Sequence, residues 1–579
     1  MSRRQRTGRG LTTRLRAARI LTMAALGAMI LSGCAGIPSS GPVHAGQAVE
    51  SEASPEFDFL ARSPQPGATQ EEILLGFVEA AASPQDRYAV AREFLTTEFS
   101  TEWDPDASAL IDSGIQRSPQ TLNANAMTLT VSALADVGVS GEYMQRESPT
   151  TQVLGYEFAQ VEGEWRISRA PQGILVDQPT FSLVFGSYPL YFFDPTFSYL
   201  VPDLRWFPRR TSTPTVIVNA LLSGPSEWLD GAVRSAFPEG TALTTASVRV
   251  VTRSAIVDLS PSVLQTEAVS LQRMQLQLQE SLRGVSSITG VTITVDQIEQ
   301  QISDTLAPVI DDPHVDPRAL ILRDGVFGHL AASGDTITPI DISEQIVALQ
   351  PSAVSVGVPQ GSGNTAAVRS ERGVSVVRSG SEPRLLDERA GLIAPVVDVF
   401  GYVWSVPQNA PGELLAFAPD GTSTPVVTSW PDATSITSLA LSRDGTRLIA
   451  LYEAGDTTRL VATGIIRQEG EGRNVPEQLG APLELAVPSE APLATAWVNE
   501  LTVATLTEGP AEETLITTQQ LGGPSSEIEG APDALTLSGG NTSRELRLLS
   551  AAGELLQRRG LSWQPRIDGV SVLGISIGL

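Results

Sequence analysis

The sequence contains no lysine, so all 39 of its basic residues are arginine. This absence excludes the lysine of phosphate-binding loops and of protein kinases, and it excludes Schiff-base chemistry. Three scattered histidines, His44, His314 and His329, cannot build a three-histidine zinc site, and the H-E-x-x-H motif is absent. Because Cys34 is the single cysteine, a disulfide within the chain, a cysteine-cluster metal site and a CxxC redox pair are also excluded.

The remaining composition indicates a large acidic protein with several folded domains. Its 579 residues allow roughly three to five domains, and 41% hydrophobic residues are enough to build their cores. Glycine (50) and proline (40) are frequent, as is typical of turn-rich β structure. The formal charge of −26 argues against a nucleic-acid partner, since phosphates require basic side chains.

The N-terminus has the pattern of a bacterial lipoprotein signal. Residues 1–19 carry seven arginines and no acidic residue, and the apolar stretch Ile20–Leu31 is too short to span a bilayer. At its end stand four residues that resemble a lipobox, the cleavage motif before a lipidated cysteine: Leu31, Ser32, Gly33 and Cys34. The resemblance implies that residues 1–33 are a signal peptide and that Cys34 becomes an N-palmitoyl, S-diacylglycerol cysteine. The alternative is a free core cysteine.

Cleavage of this signal makes the protein more acidic. Removal of residues 1–33 takes away seven arginines and no acidic residue, which leaves a formal charge of −33. An acidic body is repelled by anionic lipid, so acyl chains are needed to hold it at a membrane. Residues 34–68 are rich in Gly, Pro, Ser and Ala and predict a flexible tether. No later segment is long and apolar enough to span a bilayer, so we expect anchoring through membrane lipid on Cys34, on the extracellular face of the cell membrane.

Residues 69–175 predict an α+β domain. Thr69 and Glu72 have the spacing of a helix capping box, and the apolar residues behind them fall on one helix face. A second helix is predicted over Tyr88–Phe99, and alternating segments then predict strands. Helices followed by a curved sheet that ends in Gly163–Ile167 (GEWRI) resemble a cone-shaped NTF2-like domain.

Residues 180–305 resemble a GerMN domain, which occurs in envelope proteins of spore-forming bacteria and actinobacteria. The resemblance depends on the order of five motifs: LLSGP (221–225), PEGT (238–241), IVDLS (256–260), LQESL (278–282) and GVTITVD (290–296). The family implies no catalytic residues. The segment 181–199 is unusually aromatic, which fits either a ligand platform or paired strands with an aromatic inner face.

Residues 320–579 predict an all-β propeller of about six blades. Five apolar strands begin at spacings of 41 to 55 residues, as is typical of blades, near Val354, Val397, Leu439, Ala494 and Leu535. Segments from both ends of this region, Leu320–Leu330 and Arg566–Leu579, are expected to share a sixth blade that closes the ring, the C-terminal segment with about two strands. Residues 306–319 are expected to be a linker, and the polar stretch Arg467–Gly480 a loop.

Two sequence patterns resemble sites of chemistry but have simpler interpretations. Gly574–Gly578 matches the nucleophile elbow G-x-S-x-G, yet the chain leaves no room for the helix, acid and histidine that follow it, so a terminal strand is expected. An acidic cluster with one histidine has ligands for Ca²⁺ or Zn²⁺, but its two prolines favour a solvated linker: Asp311, Asp312, His314 and Asp316.

Two further residues are not expected to have a functional role. His329 flanks a predicted strand and is expected to pack there rather than act as a base. Asn541 begins a glycosylation sequon by pattern, which carries no weight in a bacterial lipoprotein. The sequence therefore predicts no catalytic residue, no metal and no cofactor.

The order of lipobox, NTF2-like, GerMN-like and propeller segments resembles the actinobacterial LpqB family of lipoproteins over nearly the whole mature chain. The resemblance implies an accessory of the Mtr two-component system that contacts the extracellular sensor region of the histidine kinase MtrB. We therefore expect a non-enzymatic interaction protein that acts in envelope homeostasis and cell division. Two alternatives stay open: an enzyme acting on peptidoglycan, which needs facing carboxylates in a cleft, and a glycan- or solute-binding lipoprotein.

Overall fold

A computed structural model of the chain describes residues 61–115, 117–303, 306–359, 363–470, 473–487, 491–509 and 513–578. All of them belong to one compact unit that runs from Phe57 to Leu579. Among the described residues, no helix combines the length and the apolar character needed to cross a membrane.

The N-terminal domain is an α+β domain with helices packed against one curved sheet. Its helices are α1 (Gln70–Ala81), α2 (Ala89–Arg92), α3 (Thr97–Glu102) and α4 (Gln178–Val184). Its strands are β1 (Ser108–Asp112), β2 (Ser118–Asn123), β3 (Ala126–Gly138), β4 (Tyr143–Val161), β5 (Glu164–Arg169) and β6 (Ile174–Asp177). The sheet order is β5-β4-β3-β1-β6, with β2 beside β3 and with β1 and β6 parallel. The similarity to NTF2-like domains stays a prediction beyond this α+β composition.

Local sequence explains α1 and corrects the next helix. The capping box that Thr69 forms with Glu72 is present, and α1 buries its apolar face, as expected. The helix predicted over Tyr88–Phe99 is wrong in its extent, because it is interrupted after α2. Ile167 of β5 donates its N–H to Phe94 and accepts one from Thr96, and Thr96 then caps α3. Pairing with a distant strand thus replaces the middle of the predicted helix.

The GerMN-like domain begins with a hairpin and continues with a small mixed sheet. The hairpin consists of β7 (Phe185–Phe193) and β8 (Leu200–Pro208). Then follow α5 (Thr213–Ser223), β9 (Arg249–Val251), β10 (Ser254–Leu259), α6 (Ala268–Leu282), β11 (Gly290–Val295) and β12 (Ile298–Glu299). The sheet order is β12-β11-β10-β9. Strands β10 and β11 are parallel because α6 connects them, as in other β-α-β units.

The C-terminal region is a β-propeller of four- and five-stranded sheets. The first sheet contains β13 (Leu320–Arg323), β14 (Val326–Leu330), β15 (Ile337–Pro339) and, from the C-terminus, β37 (Val570–Leu573); α7 (Ser343–Ala348) follows β15. The second contains β16 (Ala353–Gly357), β17 (Thr365–Ser370), β18 (Gly373–Arg378), β19 (Arg384–Asp387) and β38 (Ile575–Ser576). The third contains β20 (Val396–Val397), β21 (Val403–Ser405), β22 (Leu415–Phe417) and β23 (Ser423–Pro425).

Three further sheets follow in chain order. The fourth contains β24 (Ser435–Leu441), β25 (Arg447–Ala454), β26 (Thr457–Gly470), β27 (Arg473–Leu479) and β28 (Leu483–Leu485). The fifth contains β29 (Pro492–Trp497), β30 (Thr502–Glu508), β31 (Thr514–Gln520) and β32 (Ser525–Glu529). The last contains β33 (Ala534–Ser538), β34 (Arg547–Ser550), β35 (Leu555–Arg559) and β36 (Ser562–Ile567).

The sheets close into a ring through their innermost strands. Each of β37, β16, β20, β24, β29 and β33 contacts the next, and β33 contacts β37 again. The two ends of the propeller region do share a sheet, because β37 pairs with β13. However, the C-terminus gives that sheet one strand instead of two. Strand β38 pairs in parallel with β16 of the neighbouring sheet.

The prediction of a loop over Arg467–Gly480 is wrong. Strand β26 runs on past the sheet, and its distal half pairs with β27 as a long hairpin. Ile465 is fully buried opposite Leu479 at the base of this hairpin. The polar composition does not exclude a strand here, because backbone pairing and a few apolar residues at the base are sufficient to form the hairpin.

Candidate functional site

The predicted lipidation site lies outside the described residues. This applies to Leu31, Ser32, Gly33 and Cys34 alike. The assignment of Cys34 as the lipidated residue therefore stays a prediction.

The acidic cluster at residues 311–316 does not converge on one point. Asp311 lies 3.4 Å from Arg283, whereas Asp312 lies 3.6 Å from His314. Asp316 forms a 2.6 Å ion pair with Arg318. Among the described residues, no group of three or more His, Cys, Asp or Glu side chains is placed to hold a metal ion. The cluster therefore behaves as a connecting segment whose charges are paired locally.

His329 and the G-x-S-x-G pattern occupy structural positions. His329 lies in β14 with its Nδ1 4.0 Å from Asp316, and burial is the main cause that lowers its pKa. Ser576 lies in β38 opposite Val356, so the pattern forms a terminal strand, as expected. It lacks the strand-turn-helix context of a nucleophile elbow.

Asn541 holds the connecting segment against the propeller. Its Nδ2 donates to the carbonyl of Val315, and its Oδ1 accepts from the N–H of Val315 and from Arg443. Arg443 also donates to the carbonyl of Pro313. The sequon asparagine is thus a structural clamp, and its amide is engaged within the fold.

The centre of the propeller ring is filled by the chain's own C-terminus. The cavity there measures about 20 Å³, room for about one water molecule. Ile575 and Ile577 line it from β38 and the residue after it, opposite Leu439 and Trp497. Ile577 is buried and donates its N–H to the carbonyl of Val356. The C-terminal segment therefore lies inside the ring, beyond the innermost strand β16 of the second sheet.

A larger cavity of about 400 Å³ opens in the N-terminal domain. It is lined by β2, β3 and β4, by the end of β5 and by the segment that follows β5. Met127, Tyr156 and Pro171 give it an apolar wall, while Glu157 and Arg169 add one charge of each sign. Its volume lies within the range of small-molecule sites.

The aromatic segment 181–199 is packed inside the protein. Phe192 and Phe193 are fully buried, and Phe181 stacks on Phe185 with ring centres 4.7 Å apart. Trp206 of β8 packs against Phe181 at 5.1 Å. Of the two interpretations of this segment, the structure confirms paired strands with aromatic inner faces from Phe185 onwards, while Phe181 lies in α4. The exposed platform that a glycan-binding function would use is not formed by these rings.

The hairpin β7–β8 joins the three domains. Arg205 is buried; it donates to Asp203 and to the carbonyl of Ser140 in the N-terminal domain, both at 2.8 Å. Trp206 donates through Nε1 to the carbonyl of Gly522 in the propeller at 2.8 Å. The same hairpin therefore contacts domains on both sides.

The GerMN-like domain and the propeller share one apolar cluster. The cluster runs from α5, α6 and the β7–β8 hairpin into the fourth and fifth propeller sheets. Its propeller members are Ala440, Ile449, Leu451, Leu460, Ala462, Leu485, Trp497, Val503 and Leu521. The approach is close: a Cβ on Gly464 of β26 would lie 2.6 Å from the Cβ of Ala232 and 2.8 Å from the carbonyl oxygen of Trp228. The two domains are therefore one packed body.

One polar contact stands at this apolar boundary. The hydroxyl of Tyr191 in β7 donates to Glu500 Oε1, at 3.3 Å, across the boundary between the two domains. Tyr191 belongs to the aromatic segment 181–199, but no pattern in the sequence pointed to Glu500 or to its pairing with Tyr191. Only the packing of the hairpin on the propeller brings them together.

Three family models match the chain in the order of its domains. They are described as "Lipoprotein LpqB, N-terminal domain" (residues 63–182), "Sporulation and spore germination" (residues 189–301) and "Lipoprotein LpqB beta-propeller domain" (residues 331–572). The first and last carry the same protein name, and the middle one corresponds to the GerMN-like domain.

Curated relatives carry the name Lipoprotein LpqB. The protein of Cutibacterium acnes is 32% identical over 321 residues, which cover 53% of this chain and 54% of the relative. That of Thermobifida fusca is 26% identical, covering 52% of this chain and 51% of the relative, and that of Mycolicibacterium smegmatis is 33% identical, covering 38% and 37%. The chain thus spans about half the length, or less, of these relatives. With its N-terminal, GerMN and propeller domains in this order, the chain belongs to the LpqB lipoprotein family.

Proposed function

We propose that this protein is a non-enzymatic lipoprotein that binds the extracellular sensor region of an MtrB-type histidine kinase. Through that contact it would modulate envelope and cell-division signalling. In this proposal Cys34 carries the lipid and keeps the protein on the extracellular face of the cell membrane. The partner follows from the family resemblance, and the anchor from the lipobox.

The observation that supports an interaction role is the construction of the domains as one body. The GerMN-like domain and the propeller share a core, and the hairpin β7–β8 ties the N-terminal domain to both. A rigid body presents its outer surfaces in one arrangement, which reduces the entropy lost when a partner binds. Because the ring centre is filled, the proposal places partner binding on these outer surfaces and not in a central cleft.

Crosslinking in native membranes tests this proposal. The full-length protein is crosslinked, purified and identified with its partners by mass spectrometry, with Cys34→Ala as the matched variant. We expect the sensor region of a histidine kinase in the wild-type sample and a clear loss of it in the Cys34→Ala sample. Recovery of wall fragments or wall-synthesis enzymes alone would contradict the proposal.

The cavity in the N-terminal domain favours a second candidate function, the binding of a solute or a glycan fragment. Its two charges, on Glu157 and Arg169, and its apolar wall suit a small amphiphilic molecule. Titration of soluble muropeptides into the full-length protein, followed by calorimetry, tests this candidate. Binding that is lost in Met127→Glu would support it, and absence of heat at millimolar concentration would contradict it.

A further inference from the structure

The carboxyl group of Glu500 lies in the contact between the GerMN-like domain and the propeller. Glu500 belongs to the turn between β29 and β30 of the fifth propeller sheet. Its Oε1 accepts the hydroxyl of Tyr191 at 3.3 Å, while its buried Oε2 has no hydrogen-bond partner among the described residues. A buried carboxylate oxygen without a donor is unfavourable when charged, because it has lost its hydration.

The guanidinium group of Arg447 binds the main chain of Glu500 and not its carboxylate. Arg447 donates through Nη1 to the main-chain carbonyl of Glu500 at 2.8 Å and through Nη2 to Asp444 at 2.5 Å. Its guanidinium also lies over the ring of Trp497, 4.9 Å from the ring centre. Arg447 therefore holds the turn in place while its charge is largely matched by Asp444.

Tyr191 is held in position from the other domain. Its main-chain N–H donates to Ser281 of α6 at 2.9 Å, which fixes the strand against that helix. Burial, and then the neighbouring Glu500, raise the pKa of the Tyr191 hydroxyl, so it remains a donor at physiological pH. The hydrogen bond thus links α6 and β7 directly to the propeller turn.

The other charged groups that face this contact come from three elements. Glu280 of α6 and Arg283, which follows the helix, pair with each other at 3.0 Å. The connecting segment supplies Asp311 and Asp312, with His314 3.6 Å from Asp312. The turn before β25 supplies Asp444, next to Arg443, and β25 itself begins with Arg447.

The balance of these groups favours the protonated form of Glu500. Burial is the largest cause and raises the pKa of Glu500 to about 7; Arg447 opposes it, and Asp312 adds to it. Arg283 is engaged by Glu280 and Asp311, and Arg443 by the carbonyl of Pro313. The cations around the contact are therefore committed elsewhere.

We propose that the Tyr191–Glu500 contact is a pH-responsive latch between the GerMN-like domain and the propeller. The latch is closed when Glu500 is protonated and loosens when it is ionised. The inference does not depend on which partner the protein binds, so its failure would leave the proposed function intact.

The direction of the effect follows from proton linkage. The closed contact holds a proton that the opened contact releases, because the pKa of Glu500 is raised in the closed state. The contact is therefore most stable below the ordinary pKa of a glutamate, and this stability is lost as the pH rises towards about 7. Above that pH both states are ionised and the loss is complete.

Hydrogen exchange on the full-length protein at pH 5.5 and 8.5 tests the latch. After correction for intrinsic exchange rates, peptides that cover residues 186–193 and 498–502 report the opening. A shift in pKa from 4.5 to about 7 predicts an opening equilibrium about 30-fold larger at pH 8.5. Glu500→Gln mimics the protonated group and should remove this pH dependence. Glu508→Gln, an exposed position on the same sheet, is the matched control and should behave as wild type.

A second variant keeps the carboxyl group and removes its donor. The hydrogen bond from Tyr191 lowers the pKa of Glu500, so Tyr191→Phe should retain the pH dependence with a midpoint at higher pH. A midpoint at higher pH in Tyr191→Phe would support the latch even if Glu500→Gln fails to fold. A wild-type protein without excess opening at pH 8.5, or a Glu500→Gln variant with the full wild-type pH dependence, would overturn the proposal.

Discussion

The two domain junctions of this protein are built differently. Between the GerMN-like domain and the propeller the cores merge, and buried apolar side chains from both sides form one cluster. The N-terminal domain has a core of its own, which extends only to Phe185 and Trp206 of the hairpin β7–β8, and it also reaches the rest of the molecule through polar contacts. These include the ion pair of Arg210 with Asp106 and the reciprocal hydrogen bonds between Gln145 and Ser525.

This difference predicts how the molecule unfolds. Domains whose apolar cores are merged unfold together, because the opening of one domain exposes the apolar surface of the other to water. Exposed ion pairs and hydrogen bonds contribute little free energy and are screened by salt. We therefore expect the GerMN-like domain and the propeller to behave as one cooperative unit and the N-terminal domain as a second, more independent one.

The largest effect is expected from Asp398→Ala in the propeller. Asp398 is fully buried and accepts from Arg467 at 2.7 Å and from the indole of Trp404 at 3.1 Å. Its removal leaves the buried guanidinium without its carboxylate partner, although Arg467 keeps its hydrogen bonds to the carbonyls of Asn474 and Gly445. The unpaired buried charge lowers the free energy of unfolding by about 3–5 kcal/mol. Hydrogen exchange should show that protection falls in the propeller and the GerMN-like domain together.

The matched control for this experiment is Asp335→Ala. Asp335 is largely exposed and lies 3.7 Å from Arg566, so its loss should change stability by less than about 1 kcal/mol. If Asp398→Ala lowers protection in the propeller but leaves the GerMN-like domain unchanged, the two do not form one unit.

An intermediate effect is expected from Gly464→Ala, which acts at the merged junction itself. The added methyl group would overlap Ala232 and the carbonyl of Trp228, so the two domains must move apart locally. We expect a loss of about 1–3 kcal/mol in the free energy of unfolding, measured by urea denaturation. Gly412→Ala is the control, since a Cβ there meets open space. Equal stability of the two variants would contradict the close approach at Gly464.

The smallest effect is expected from Arg210→Ala, at the junction of the N-terminal domain. Arg210 forms two hydrogen bonds to Asp106, at 2.9 and 2.8 Å, and Asp106 is largely exposed. Its loss should cost about 1 kcal/mol or less, and high salt should reduce the difference from wild type. A double-mutant cycle with Asp106→Ala isolates the pair. If this variant also lowers hydrogen-exchange protection in the propeller, the N-terminal domain is not the more independent unit.

Several elements could be predicted from local sequence. The capping residues of α1 stand next to each other in the chain, and the repeat of apolar strands placed β16, β20, β24, β29 and β33 near their observed starts. The turn at Asp444-Gly445 joins β24 to β25, as its residues indicate. Such features depend on spacing along the chain, which the sequence contains in full.

Other elements could not be predicted because backbone pairing in the folded protein decides them, against the preference of the local composition. The helix expected over Tyr88–Phe99 is interrupted in its middle by backbone pairing with Ile167. The stretch Arg467–Gly480 is polar enough to resemble a loop, yet it pairs with itself as a hairpin. Both differences arise where backbone hydrogen bonds across the fold outweigh a weak local preference.

The sequence by itself determined the order of the domains, the kinds of element in each and the absence of the chemistry that lysine, paired cysteines and grouped histidines would supply. Periodicity and motif order are local properties, so they survive without coordinates. Tertiary structure alone decided that two cores merge, that the C-terminus fills the ring, and that Tyr191 meets Glu500 across 309 residues of chain. Apolar burial is non-directional, and a one-dimensional sequence does not state which buried surfaces face each other.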